Sequence, residues 1–348
     1  MKRRLFVSSL AAAAGLPARS SAGDALPIFS WEEPHMGTLW TIKVPAASRE
    51  AAEPAVRKAF ARIAELNACL SDYLPDSELS RLSATAGSGR PVAVSNDLWN
   101  VLFFAQQASA TCAGLFDVTL GPCTALWRRS RRQQKLPEPD KLQAARAASS
   151  WKFLGLDDAK RTALLVRPGM KLDAGGIAKG YAQDEAFRVL TSHGISSALI
   201  NAGGEAGTSA PPPGRPAWSV ELTPAVPGEG PPEVAAVSHA FVATSGDLHQ
   251  FTEINGARYS HIIDPATGLG MHERAHAIVI APSGMRADVV ATVLCLLGPD
   301  QSLPWLAQHH PDIEARITRI PTASHQPHSR QTKGFARYLS SYREPKGK

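Results

Sequence analysis

Apolar residues recur along the chain in both helical and strand-like patterns, which predicts mixed secondary structure. After Ser48, apolar residues stand at three- and four-residue steps, the spacing of one face of a long amphipathic helix: Val56, Phe60, Ile63, Leu66 and Leu70. Residues 97–111 and 285–297 predict two further helices by the same criterion. Residues 36–44 alternate as a strand does, and residues 197–202 predict a buried strand.

Turn residues between these elements predict where the chain reverses. An Asn-Gly pair at 255–256 predicts the tip of a hairpin whose strands lie within 241–247 and 258–268. Residues 207–232 are rich in proline and glycine, which predicts a loop with one short strand inside it. Residues 128–134 are polar and basic, and they predict a solvated insertion.

One stretch, residues 172–184, combines features that suit an anion-binding turn. Asp173 follows an apolar run, and Gly175 and Gly176 stand where a helix with a small apolar face would begin. Glycines let a ligand approach the backbone closely, and a helix N-terminus favours an anion. Lys179 adds a positive charge in the first turn, so a diphosphate would fit there. An ordinary strand-to-helix turn with a solvated lysine explains the same residues, and both interpretations stay open at this point.

Two polar residues share one face of the helix predicted at 285–297. Asp288 and Thr292 stand four residues apart, so their side chains point the same way. Both offer oxygen, the ligand that magnesium prefers while it keeps waters or substrate phosphates in its other positions. The alternative is structural, with Asp288 near the helix start and Thr292 bonded back to a carbonyl. His261 is likewise either a structural histidine in a strand or a catalyst.

Charge is distributed unevenly in this chain of 348 residues. The formal net charge is +6, but residues 1–23 carry +4 and residues 315–348 carry +7, so the residues between them carry −5. A basic nucleic-acid-binding face is therefore not supported. Four cysteines in apolar surroundings form no Cys-x-x-Cys pair, so we expect core thiols and neither a zinc site nor a disulfide framework: Cys69, Cys112, Cys123 and Cys295.

The N-terminal residues have the pattern of an export signal. Arg3 and Arg4 precede an apolar run at 7–16 that is too short to span a bilayer, and small residues at 20–23 suit a cleavage site. The paired arginines favour the twin-arginine route to the periplasm, with the Sec route as the alternative. No cysteine precedes Cys69, which argues against a lipid anchor, and no other segment predicts a stable membrane span.

Eight short motifs, in this order, resemble those of the FAD:protein FMN transferase family, the ApbE-type flavin transferases. They are MGT at 36–38, DYLPDSELS at 72–80, GLFD at 114–117, LDAGGIAKGY at 172–181, NAGGE at 201–205, ATSGD at 243–247, YSHIIDPATG at 259–268 and ADVVAT at 287–292. Residues 333–339 resemble the closing strand of that domain. The chain has no Walker lysine motif and no Gly-x-Gly-x-x-Gly after a strand, so standard nucleotide folds are poorly supported.

The resemblance implies an α+β fold: a single mixed α/β domain of the flavin-transferase, T-fold-like type, with a central antiparallel or mixed sheet and flanking helices. That domain would span residues 24–341, between an export signal at 1–23 and a basic tail at 342–348. The family transfers FMN from FAD to a threonine of an acceptor protein by Mg²⁺-dependent phosphoryl transfer and releases AMP. Some members hydrolyse FAD to FMN and AMP instead, and a non-catalytic periplasmic flavin-binding protein is the remaining alternative.

The resemblance also implies which residues form the site. The FAD contacts of the family fall on Met36, Tyr73, Leu115, Phe116, Asp117, Asp173, Lys179, His261 and Ile262. Its Mg²⁺ ligands fall on the side chains of Asp288 and Thr292 and on main-chain carbonyls of Gly176 and Ala291.

These assignments imply three catalytic residues. Mg²⁺ on Asp288 would hold the diphosphate of FAD, and Lys179 would offset the charge that remains. His261 is the candidate base for the acceptor hydroxyl, because an imidazole titrates near working pH. The isoalloxazine would rest on Tyr73 and Phe116, whose aromatic faces suit stacking.

Overall fold

A computed structural model describes residues 26–226, 233–248, 250–322 and 326–340. The predicted export signal at 1–23 and the basic tail at 342–348 lie outside these residues. The extent of the domain, predicted as 24–341, stays a prediction.

Helices account for much of the described chain, and the predicted ones are present. They are α1 (Arg49–Leu70), α2 (Glu78–Ser83), α3 (Asn96–Thr111), α4 (Gly121–Gln133), α5 (Pro139–Ala147), α6 (Ala178–Ser192), α7 (Gly284–Leu297) and α8 (Pro299–His309). Serines cap four of them, because the side chains of Ser48, Ser77, Ser95 and Ser283 each accept a hydrogen bond from a backbone N–H of the first turn. Within the part of the chain that the structure describes, no helix is long and apolar enough to cross a membrane.

The strands occur in groups between the helices, and ten consecutive strands separate α6 from α7. The strands are β1 (Ile28–His35), β2 (Thr38–Pro45), β3 (Val92–Ala93), β4 (Leu154–Asp157), β5 (Thr162–Leu165), β6 (Leu199–Ala202), β7 (Glu205–Thr208), β8 (Trp218–Leu222), β9 (Glu233–Val237), β10 (Ala240–Gly246), β11 (Phe251–Ile254), β12 (Ala257–Ser260), β13 (Ile263–Asp264), β14 (Leu269–Gly270), β15 (Arg274–Ala281), β16 (Glu314–Ile320), β17 (His328–Gln331) and β18 (Leu339–Ser340). The strand predicted at 36–44 begins two residues later, because Met36 and Gly37 form the turn between β1 and β2.

One eight-stranded sheet organises the fold, in the order β1-β2-β6-β7-β10-β15-β16-β17. Every neighbouring pair in it is antiparallel. The two faces of the sheet pack against different layers. Successive residues of β10 and β15 point to opposite faces. Ala243, Ala277 and Val279 face a core that contains α7, whereas Val242 and Ile278 face the three-stranded sheet β18-β9-β8. The predicted fold, a mixed α/β domain with a central antiparallel sheet and flanking helices, is confirmed.

The predicted hairpin is only partly correct. Asn255 and Gly256 do form its tip, with φ of 54° and 77°, but the paired strands are β11 and β12. Of residues 241–247, predicted as one of its strands, 241–246 belong to β10, which lies between β7 and β15 in the central sheet. The first four residues of β10 are buried, so both its edges must be paired inside the protein.

Three other predictions need correction. Residues 333–339, predicted as a strand, form mostly a 3₁₀ turn at Phe335–Tyr338, and only β18 at their end pairs with β9. Phe335, the first residue of this turn, is fully buried in the core that also contains residues of β8 and β9. The loop predicted from residue 207 begins after β7. The four cysteines are free thiols, as predicted, but Cys69 is half-buried and its Sγ lies 3.2 Å from a carboxylate oxygen of Glu78.

Helices α6 and α7 cross where both have a glycine. A Cβ atom at Gly180 would collide with the carbonyl of Gly284, and a Cβ at Gly284 would collide with that of Gly180. Asp184 of α6 binds the start of α7, since its carboxylate accepts from the backbone N–H of Gly284 at 2.8 Å and of Met285 at 3.1 Å. The crossing therefore sets Asp288 against the first turn of α6.

The substitution Gly180→Ala tests this crossing. We expect it to lower the free energy of unfolding by about 1–3 kcal/mol, because the added methyl group forces the two helices apart. Thermal or urea unfolding measures the change.

The matched control is Gly155→Ala, where the new Cβ would lie 3.6 Å from Leu164 Cβ, an ordinary contact. Equal stability losses in both variants would show that α6 and α7 do not depend on their close approach.

Candidate active site

A cavity of about 540 Å³ opens where α4, α6, α7 and the ends of several central strands meet. All the predicted site residues line it except one: Met36, Tyr73, Leu115, Phe116, Asp117, Asp173, Gly176, Lys179, His261, Ile262, Asp288 and Thr292. The exception is Ala291, whose side chain is fully buried in the core behind α7. Residues far apart in the sequence therefore form one site.

The glycine turn before α6 presents backbone to the cavity. Asp173 shapes it, because its Oδ1 accepts from the backbone N–H of Gly175 at 2.8 Å. Gly175 and Gly176 both line the cavity, and α6 has no side-chain cap at its N-terminus. The backbone N–H groups of Ile177 and Ala178 already donate to the carbonyl of Ala174. The attraction for an anion therefore comes mainly from the positive end of the helix dipole and from Lys179.

Lys179, Glu205 and Asp288 form a charged cluster inside the cavity. The ammonium group of Lys179 pairs with Glu205 Oε1, and Asp288 Oδ2 accepts from the backbone N–H of Gly180 at 2.8 Å. Burial and then the charge of Asp288 raise the pKa of Glu205 to about 8. Burial lowers the pKa of Lys179, but the two carboxylates outweigh it and the net shift is upward, so the lysine stays charged. Lys179 is thus not the solvated lysine of the structural alternative.

Thr292 and Asp288 lie on one face of α7, as predicted. Thr292 Oγ1 donates to the carbonyl of Asp288 at 3.3 Å, which is the bond that the structural alternative predicts. The same oxygen also faces the glycine turn, since a Cβ at Gly176 would lie 3.6 Å from it. Thr292 therefore satisfies its hydroxyl locally and still lines the cavity.

The cluster around Asp288 fits a divalent cation by its chemistry. Two buried carboxyl groups, those of Glu205 and Asp288, face one ammonium group, so without a second cation Glu205 mostly keeps its proton at pH 7. Glu205 Oε2 is buried without a hydrogen-bond partner among the described residues. The side chains that surround the site offer oxygen, the ligand type that suits Mg²⁺. Among the described residues, no group of three His, Cys, Asp or Glu side chains forms a metal cage, so part of any coordination would come from backbone, water or substrate.

Asp117 lines the cavity, but its carboxylate is already used within the protein. Oδ1 accepts from the backbone N–H and the hydroxyl of Thr119, and Oδ2 accepts from the backbone N–H of Trp151, each at 2.7 Å. Burial raises its pKa even though these bonds favour the charged form. We conclude that Asp117 holds the 114–117 loop in shape, and that Leu115 and Phe116 offer the apolar surface.

Two aromatic residues border the cavity in different settings. Phe116 is buried and lies against the glycine turn, because a Cβ at Gly176 would lie 3.1 Å from its ring. Tyr73 is 73% exposed at the mouth of the cavity. A flat ring that enters the cavity can therefore contact both an inner and an outer aromatic surface.

His261 lies at the side of the cavity near the hairpin of β11 and β12. Its backbone N–H and its ring Nδ1 both lie close to the carbonyl of Gln250, at 3.0 and 3.2 Å. Burial lowers the pKa of His261 below its ordinary value, and the positive charge of Arg131 acts in the same direction. The imidazole is therefore neutral at pH 7 and can accept a proton.

The prediction of a solvated insertion at 128–134 is wrong for the two arginines that line the cavity, Arg128 and Arg131. Both belong to α4, whose residues at steps of three, four and seven line the cavity: Thr124, Trp127, Arg128 and Arg131. Arg128 is half-buried between two carboxylates. The amphipathic spacing was present in the sequence, but four arginines within five residues hid it because such a run resembles a solvated surface.

Comparison with known proteins matches the chain to the family that the motifs resemble. A family model described as the ApbE family matches residues 36–317. An FAD:protein FMN transferase of Treponema pallidum (strain Nichols) is 32% identical over 308 residues, which cover 82% of this chain and 83% of that protein. A protein of the same name from Haemophilus influenzae is 32% identical over 278 residues, which cover 77% and 80%.

A solved structure gives the same result for the fold. The flavin transferase ApbE from Vibrio cholerae matches with a TM-score of 0.79 at 27% identity, over 90% of this chain and 99% of that one. The resemblance drawn from the motifs is thus confirmed. Since the family model spans most of the chain and the relatives align over more than three quarters of it, this chain belongs to the ApbE family.

Proposed function

We propose that this protein transfers FMN from FAD to an acceptor protein, with a threonine hydroxyl as the acceptor group and Mg²⁺ as the cofactor. Its relatives bear the name FAD:protein FMN transferase. The observation that carries the proposal is the arrangement of one cavity: an anion-binding helix start, a buried acidic cluster and two aromatic residues line it together. FAD presents a diphosphate and a flat ring in the same molecule.

The reaction exchanges a phosphoanhydride bond for a phosphoester bond. The threonine oxygen forms a bond to the FMN phosphorus, the phosphoanhydride bond to AMP breaks, and AMP leaves with the bridging oxygen. The hydroxyl proton passes to a base. Such a reaction needs the reactants held in line and the charge on the leaving phosphate stabilised.

The residues of this chain divide these tasks. The positive end of the α6 dipole and the ammonium group of Lys179 would stabilise phosphate charge. Asp288 and Thr292, with main-chain carbonyls of Gly176 and Ala291, would hold Mg²⁺, which neutralises the diphosphate when it is bound. His261, neutral at pH 7, would accept the proton of the threonine hydroxyl.

A direct assay tests the transfer. Purified protein is incubated with FAD, Mg²⁺ and a candidate acceptor that carries an exposed threonine, or with the same acceptor in which that threonine is alanine. We expect AMP release to depend on the threonine, and flavin fluorescence to remain on the denatured acceptor. Rapid release of FMN and AMP without any acceptor would identify a diphosphatase, and no AMP at all would identify a flavin-binding protein without turnover.

Asp288→Asn tests the metal site. We expect the rate of AMP release to fall by at least about a hundredfold, because the substitution removes a charged ligand but keeps the hydrogen-bonding shape. Chelation with EDTA should abolish wild-type activity, and added Mg²⁺ should restore it.

The control is Asp140→Asn, an exposed carboxylate on α5. An Asp288→Asn enzyme that keeps the wild-type rate and Mg²⁺ dependence would contradict the assignment.

His261→Ala tests the base. We expect transfer to slow by about 10²–10⁴-fold while FAD affinity changes little. For the wild type, the rate should fall as pH drops, because only neutral imidazole accepts a proton. Since burial holds the pKa of His261 below its ordinary value, more than half of the maximal rate should remain at about pH 6.5.

The exposed histidine His193 provides the control substitution His193→Ala. A His261→Ala enzyme with an unchanged pH–rate profile would exclude His261 as the base.

We also propose that the protein is exported by way of residues 1–23, because Arg3 and Arg4 precede a short apolar run. The double substitution to lysine should block export by the twin-arginine route, as cell fractionation would measure. Unchanged export would leave the Sec route, and full-length protein in the cytosol of wild-type cells would contradict export.

A further inference from the structure

Arg128 of α4 connects two segments that both border the cavity. Its Nη1 pairs with Asp72 Oδ2, in the loop that follows α1. Its Nη2 lies 3.2 Å from Asp173 Oδ2, at the glycine turn before α6. The guanidinium carbon lies 4.2 Å from the centroid of the Tyr73 ring. One side chain of α4 therefore contacts an acid on each side and an aromatic ring.

These side chains differ in how much of their surface is exposed to water. The side chains of Arg128, Asp72 and Asp173 are 25%, 19% and 13% exposed, so the ion pairs are largely shielded from water. Tyr73 is 73% exposed, and the guanidinium covers one face of its ring. A tyrosine so exposed would sample several rotamers unless a neighbour held it.

We propose that Arg128 is a positioning residue for the flavin: it holds the Tyr73 ring at the mouth of the cavity, where the isoalloxazine stacks. This inference rests on the proposed function, because it assumes that FAD is the ligand. A ring that is already in place costs less conformational entropy on binding, so the affinity for the flavin is higher.

The geometry explains why an arginine performs this task. A guanidinium is planar and has donors on both sides, so it can bind two carboxylates and stack on a ring at the same time. A lysine at the same position would keep the charge but would lose the stacking and one of the two ion pairs.

Asp173 acts as an anchor in this arrangement. Its Oδ1 is held by the backbone N–H of Gly175, so it stays in place when Arg128 is removed. The effect of Arg128 should therefore fall on the flavin end of the ligand and spare the diphosphate end. FAD and ADP, which lacks the flavin, distinguish these two ends.

The experiment measures the Kd of FAD and of ADP for the full-length protein with Mg²⁺ and without an acceptor, by flavin fluorescence and by calorimetry. Arg128→Ala should raise the Kd of FAD by about tenfold and leave that of ADP within about twofold. Arg128→Lys should raise the Kd of FAD by nearly as much as Arg128→Ala does, because lysine keeps the charge but loses the stacking and one ion pair. The control Arg132→Ala, an exposed arginine of the same helix, should bind both ligands as the wild type does.

A double-mutant cycle separates positioning from direct contact. In a Tyr73→Ala background, Arg128→Ala should change the Kd of FAD by less than about twofold, since the ring that Arg128 holds is gone. Asp72→Asn provides a second variant that releases the guanidinium without shortening any side chain, and it should reproduce the loss of FAD affinity. Melting temperatures of all variants show whether they are folded.

Several results would overturn the inference. Additive effects of Arg128→Ala and Tyr73→Ala would mean that Arg128 contacts the ligand by itself. Tighter FAD binding by Arg128→Ala would mean that the arginine blocks the site, and equal losses for FAD and ADP would mean a general structural role. If the wild type does not bind FAD, the proposed function is contradicted together with this inference. If the wild type and Arg128→Ala bind FAD equally well, only this inference is contradicted.

Discussion

The close approach of α6 and α7 is the constraint on which the site depends. Two glycines, Gly180 and Gly284, let the helix backbones touch, and Asp184 binds the first turn of α7. Because the helices are this close, Asp288 reaches the backbone N–H of Gly180, one residue from Lys179. Two helices separated by about a hundred residues thus present a positive helix end and the carboxylate proposed to bind Mg²⁺ to the same volume.

Two buried carboxyl groups in the cavity share one cation. Lys179 pairs with Glu205, and Asp288 lies beside them with a hydrogen bond from the backbone N–H of Gly180. Burial and the charge of Asp288 raise the pKa of Glu205 to about 8, so Glu205 is mostly protonated at pH 7 when no second cation is present. A bound divalent ion would favour loss of that proton and would at the same time attract a diphosphate. The same residues would therefore connect metal binding with substrate binding.

The cavity has two walls of different kinds. The central sheet and the crossing of α6 and α7 form a rigid wall, built from buried residues. Helix α4 and the loop that carries Tyr73 form the other wall, and the ion pairs of Arg128 hold them together. An acceptor protein must reach the phosphate through the opening between these walls. In the proposed reaction, the rigid wall carries the groups that would act on phosphate, and the outer wall carries the aromatic surface that would contact the ring.

Local patterns in the sequence were sufficient to predict α1, α3 and α7, because helical periodicity and serine caps act within a few residues. The eight motifs and their order along the chain predicted the family and twelve residues that line one cavity. Tertiary structure alone decided the partners of β10 and the cavity-facing role of Arg128. Strand pairing and the contacts of a long side chain depend on residues distant in sequence, so a run of arginines reads as solvated until Asp72 and Asp173 are placed beside it.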